Sequence, residues 1–109
     1  MLPHARRFGI SSVSSADGPR LAVRGELDLA TASRLRMAIA SEEEARPKLL
    51  TLDLRELDFM DVSGMRVLLD AARRAERDGR QLMVMNPQPA IRRLFALTAV
   101  DRTITIGFD

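Results

Sequence analysis

A chain of 109 residues, 46% hydrophobic and 29% charged, has room for one core and one domain, and its apolar share is that of a globular protein rather than a disordered one. Seventeen basic residues against fifteen acidic ones leave a formal charge of +2; Lys48 is the single lysine, so the basicity is that of arginines that never deprotonate rather than of a strongly basic surface. The absence of cysteine excludes disulfides and thiolate chemistry, and a lone histidine, His4, leaves no donor set for zinc and no base for a serine triad unless it folds back, so neither a metal nor a cofactor is expected.

Residues 1–7 read as a loose, flexible N-terminal tail and 8–109 as a single domain. FGISSVS, at 8–14, alternates through Phe8 and Ile10 before Val13 falls out of phase, which suggests a strand. ADGP at 16–19 is turn chemistry. RLAVRGEL, at 20–27, then alternates through Leu21, Val23 and, past an irregularity at Gly25, Leu27, so the opening reads as a hairpin. From Ala30 the period changes: Ala32, Leu35, Ala38 and Ile39 share a helical face, with Arg34 and Arg36 off it. SEEE at 41–44 has two readings. Three glutamates oppose the dipole at a helix C-terminus, yet Ser41 with Glu44 makes a capping box that could open a second short turn; Pro47 ends whatever precedes it.

KLLTLDL, at 48–54, is apolar enough for a strand covered on at least one face. After the polar stretch DFMDVSG the spacing predicts a helix over 63–78, with Met65, Leu68, Leu69, Ala72 and Ala75 inward. Arg66 with Asp70 and Arg74 with Asp78 stand four apart on its wet side, and Gly79 stops it. QLMVM at 81–85 is a further strand, PAIRRLFALTA carries a last helix through Ile91, Leu94, Phe95 and Thr98, and TITI at 103–106 is either a closing edge strand or an ordered tail. The order of strand, strand, helix, strand, helix, strand, helix predicts an α/β fold with a small mixed β-sheet.

The segment from Asp58 to Met65 carries the chemistry. Asp61 and Ser63 stand where a strand ends and a helix begins, and unpaired N–H groups face outward there. Either side chain can cap those donors, and Gly64 lets another part of the chain approach closely. The same arrangement could hold a phosphoryl group on Ser63, whose charge beside Asp61 and Asp28 would change how a partner fits. The residues alone leave both readings open.

GELDLATASRL at 25–35, followed by LDFMDVSGMRVLL at 57–69, resembles the anti-sigma factor antagonist family, the STAS domain, over nearly the whole chain. The resemblance implies a small mixed sheet with helices packed mainly on one side. It also implies a non-enzymatic protein that binds an anti-sigma factor of the serine-kinase type, frees a sigma factor, and lets go when phosphorylated before the second long helix. Asp28 and Asp61 match the carboxylates beside the family's modified position, Gly64 its glycine and Met65 the apolar residue that follows. The expected partner-binding set is Asp28, Asp61, Val62, Ser63, Gly64, Met65 and Arg66.

The family's acceptor position is occupied by Val62, which has no hydroxyl. Ser63 stands one residue on and is taken as a helix cap ahead of a phosphoacceptor. The expectation is therefore an antagonist that is constitutive or differently regulated, with Val62 between Met60 and Met65 as a small apolar patch. The alternative is a STAS subunit that stabilises a membrane transporter complex. A hydrolase or phosphotransferase lacks its base. Direct nucleic-acid binding is not expected either, because basic and acidic residues are interspersed and tyrosine and tryptophan are absent. No apolar run suits a membrane helix and no secretory signal opens the chain, so a cytoplasmic protein without membrane insertion is expected; nothing points to a homodimer.

Overall fold

A computed structural model of the chain describes residues 6–109; His4 and most of the tail expected over 1–7 lie outside the described residues. Two-residue alternation builds the first hairpin: β1 (Gly9–Ser15) runs antiparallel to β2 (Gly18–Leu27), from Gly9 opposite Arg24 to Ser15 opposite Gly18. Leu21, Val23 and Leu27 of β2 face the core. The chain then alternates between helix and strand: α1 (Ala32–Glu43), β3 (Leu49–Asp53), β4 (Leu57–Met60), α2 (Val62–Arg77), β5 (Gln81–Met85), α3 (Pro89–Leu97), a 3-10 turn (Val100–Arg102) and β6 (Thr105–Gly107).

The strands form one six-stranded mixed sheet in the order β1-β2-β3-β5-β6, with β4 paired to β2 alone. β2 changes partner midway. Arg20, Ala22 and the residue between them run parallel to β3, whereas Gly25, Glu26 and Leu27 run parallel to β4, with a register shift between Gly25 and Glu26. Gly25 has φ +91°, and a Cβ there would lie 2.7 Å from the Cα of Phe8, so backbone conformation and close approach both require glycine.

The inward residues of β2, β3 and β5 and the apolar stripes of all three helices form one continuous core, so the helices cover one face of the sheet. Phe95 of α3, Leu35 and Ile39 of α1 and Leu68 of α2 are fully buried, each side chain stabilising the fold by roughly 1.5–3 kcal/mol relative to exposure. The opposite face carries Arg20, Ala22, Thr51, Asp53, Met83 and Met85, all half-buried.

Several local expectations change in three dimensions. The SEEE stretch starts no second turn, because α1 runs on through Glu43. Its acids find partners outside the helix: Glu42 accepts from Ser12 Oγ at 3.1 Å and Glu43 from Arg74 Nε at 3.2 Å. Arg74 therefore crosses to α1 instead of pairing with Asp78 along α2. Asp78 takes Arg77 and Arg80, and the hydrogen bond from Arg80 does most to hold its carboxyl below the usual value. The buried stripe of α2 is wider than the sequence spacing suggested, since Val67 and Ala71 join it, while Leu69 is half-buried. α2 packs against both the sheet and α1. β4 has no counterpart among the strands expected from sequence. Leu57 and Met60 point inward with Asp58 and Phe59 exposed between them, which breaks the two-residue alternation by which a strand is recognised. Residues 105–107 form a true edge strand parallel to β5.

A network of charges ties the chain end to this frame. Arg20 donates to Asp53 at 2.9 Å and to Asp109 at 3.1 Å, Arg55 to Asp109 at 2.8 Å, and Asn86 to both aspartates. Burial opposes ionisation of Asp53. The hydrogen bonds from Arg20, the Arg55 backbone N–H and Asn86 outweigh it and hold the carboxyl below its ordinary value.

Candidate functional site

The polar segment of the sequence lies where two neighbouring parallel strands end. β2 and β4 leave the sheet side by side, and the Asp61 N–H donates to the Leu27 carbonyl at 3.1 Å, joining the two exits. Each exit is held by an aspartate. Asp28 Oδ1 accepts from the backbone N–H groups of Ala30 (3.0 Å) and Thr31 (3.2 Å); its own N–H donates to Thr31 Oγ1 at 3.0 Å, and that hydroxyl donates to the Glu26 carbonyl at 2.9 Å. These bonds close a tight loop into α1 and leave Leu29 standing out, 81% exposed.

At the second exit Asp61 is the N-cap of α2. Its backbone is extended, and Oδ1 accepts from the N–H groups of Ser63 (2.8 Å) and Gly64 (3.2 Å). Ser63 is therefore a capped residue and not the cap: it lies in the first turn, half-buried, and supplies a backbone donor. Gly64 is buried, and a Cβ on it would lie 2.6 Å from Leu27 Cγ. The glycine lets α2 sit directly on the end of β2, as its position in the first turn suggested.

The apolar patch differs from the one expected. Met60 and Met65 are 5% and 9% exposed, and Met65 Sδ lies 3.2 Å from Thr98 Oγ1, so both methionines belong to the core. Val62 is on the surface, 57% exposed, and its apolar companion is Leu29. Between them lies a shallow groove of about 470 Å³, walled by Leu29, Ala32, Ser33 and Arg36 on one side and Val62, Ser63 and Arg66 on the other. Of the residues expected to meet a partner, Val62, Ser63 and Arg66 line this groove. Asp28 and Asp61 shape its rims, and Gly64 and Met65 lie beneath the surface. Leu29, Ser33 and Arg36 were not singled out. Arg36 stands off the inward stripe of α1, which was visible in the sequence, but its facing of α2 depends on how two helices cross. Among the described residues, no cluster of acids, cysteines or histidines is suited to a metal, and no helix is long and apolar enough to cross a membrane.

Residues 15–108 match the sequence model of the STAS domain. The chain belongs to the STAS domain family. This STAS domain is similar in structure to an anti-sigma factor antagonist from Mycobacterium paratuberculosis, with 25% identity and a TM-score of 0.84 over 93% of this chain and 86% of that one. Unphosphorylated SpoIIAA, an anti-sigma factor antagonist of Bacillus, is 21% identical with a TM-score of 0.74 over 92% and 87% of the two chains. An RsbS variant from Moorella thermoacetica is 19% identical with a TM-score of 0.71 over 92% and 86%. The last two likenesses bear on the fold alone. They agree that the mixed sheet covered by helices on one face is the architecture of this family, and the solved relatives carrying it include anti-sigma factor antagonists.

Proposed function

We propose that this STAS domain is an anti-sigma factor antagonist: a non-enzymatic module that docks on an anti-sigma factor of the serine-kinase type and so frees a sigma factor in the cytoplasm. The observation that supports it is the pair of exposed apolar side chains, Leu29 and Val62, held on backbone that Asp28 and Asp61 have already ordered. Apolar groups on a pre-formed surface bury area on docking without a further cost of ordering the chain.

In this reading the contact surface is the Asp28–Thr31 loop with Val62, Ser63 and Arg66. Val62 stands at the position that the resemblance gives to the phosphoacceptor, and a valine accepts no phosphate. The antagonist is then constitutively competent or regulated at another residue. Mixing the purified domain with a kinase-type anti-sigma factor and ATP should give a stable complex by size-exclusion chromatography, with the intact mass of the domain unchanged. A stoichiometric gain of one phosphate would refute constitutive competence, and failure of every such anti-sigma factor to bind would refute the antagonist role. Val62→Ser should acquire a phosphate under the same conditions. Recovery of a membrane permease as the stoichiometric partner would instead favour the transporter-subunit alternative.

A further inference from the structure

We propose that the groove between α1 and α2 takes an acidic and apolar segment of its protein partner: apolar side chains cover Leu29 and Val62 while carboxylates reach Arg36 and Arg66. The proposal rests on the docking reading above and adds the chemistry of what is docked.

The charge of the groove comes from its walls. Arg36 projects from α1 and Arg66 from the first turns of α2, and no lining residue is acidic. Among the described residues neither guanidinium has an ion-pair partner, whereas Arg20, Arg55, Arg74 and Arg80 all do. The carboxylates nearest in sequence, Asp28 and Asp61, each hold Oδ1 on backbone N–H groups at 2.8–3.2 Å, and among the described residues neither forms an ion pair with Arg36 or Arg66. Asp70, one turn along from Arg66, forms no ion pair with it among the described residues. Asp28 and Asp61 stand at the two helix starts and offset the positive ends of the dipoles, so the pull on an anion comes from the two guanidiniums. Paired guanidiniums with free donors suit planar carboxylates, which they can grip by two hydrogen bonds each.

The apolar residues separate this ligand from a simple polyanion. Leu29 and Val62 are among the most exposed apolar side chains of the molecule and sit within the same walls as the arginines. A nucleic-acid backbone would satisfy the arginines and leave both apolar groups in water. A peptide that alternates acids with leucine-like side chains satisfies both, and its binding weakens as salt screens the charges.

The test is a titration of the isotope-labelled full chain with a short Glu-Leu peptide, beside its Gln-Leu and Lys-Leu counterparts and a short DNA duplex. The Glu-Leu peptide should shift the amides of Leu29, Ser33, Arg36, Val62 and Arg66, lose affinity several-fold as salt rises, and bind about tenfold or more weakly to the Arg36→Glu/Arg66→Glu variant. Ser33→Glu, which suits a first helical turn, should weaken it as well by placing a competing carboxylate in the groove. Shifts elsewhere, equal binding of the Gln-Leu peptide, or DNA occupying the same amides as tightly would each overturn the proposal. If a purified anti-sigma factor binds wild type and the double arginine variant equally, with the same salt dependence, this assignment falls and the antagonist role stands. If the acidic peptide fills the groove and no anti-sigma factor binds, the antagonist role falls and the assignment stands.

Discussion

Arginine is used in opposite ways in two regions of this domain. Beside the ends of β3 and β5, Arg20 and Arg55 are closed into a network with Asp53, Asn86 and Asp109, brought together from four separate stretches of the chain. In the groove between α1 and α2, Arg36 and Arg66 line opposite walls beside two exposed apolar side chains, and among the described residues no acid pairs with either. The first pair spends its charge within the fold, and the second keeps it for an outside ligand. What separates them is not residue type but whether the topology delivers a carboxylate.

Substitution separates the two regions further. Beneath the groove, Leu27→Ala should cost about 2–5 kcal/mol in urea unfolding, the usual range for a fully buried leucine. Gly64→Ala should cost roughly 1–3 kcal/mol, because the new methyl would press on Leu27. Combined with Leu27→Ala it should cost much less, since the truncated side chain vacates that space. Strict additivity of the two would show that α2 does not rest on Leu27.

In the closed network, Arg20→Met removes the main partner of the half-buried Asp53 and should cost ~1–2 kcal/mol. The carboxyl of Asp53 is held below its unfolded value of about 3.9, so its contribution is complete above that pH and is lost as acid carries the pH down through the folded value. Wild-type stability should therefore fall more steeply on acidification below about pH 4 than that of Asp53→Asn. Matching acid limbs would remove Asp53 as a contributor.

At the exit of β4, Asp61→Ala should destabilise by ~1 kcal/mol through loss of the α2 cap, whereas Ser63→Ala should stay within about 0.5 kcal/mol. Reversal of that order would return the cap to Ser63. The smallest change belongs to the open arginines: Arg36→Met and Arg66→Met should each leave thermal unfolding within about 0.5 kcal/mol of wild type, because neither has an ion-pair partner among the described residues. A loss as large as that of Arg20→Met would mean that they too are tied into the fold.

Much of this was legible along the chain. The hairpin, the irregularity at Gly25, the strand at 81–85 and the helix stopped by Gly79 rest on alternation, helical spacing and glycine, which act over a few residues. So does the polar turn that opens α2, although the capping role belonged to Asp61 and not to its neighbour two residues on. β4 was not legible. Its two inward residues are separated by two outward ones, and it exists as a strand because β2 turns away from β3 at Gly25 and offers it an edge.

The one-dimensional pattern sufficed for the order of the elements other than β4, for most of the apolar stripes and for the family, because each is written in residues that lie close together in the chain. The burial of Met60 and Met65, the crossing of Arg74 to Glu43 and the meeting of Leu29 and Arg36 with Val62 and Arg66 were settled by packing. Each of these joins residues thirty or so positions apart, and such a contact depends on how helices and strands lie across one another, a quantity no local spacing encodes.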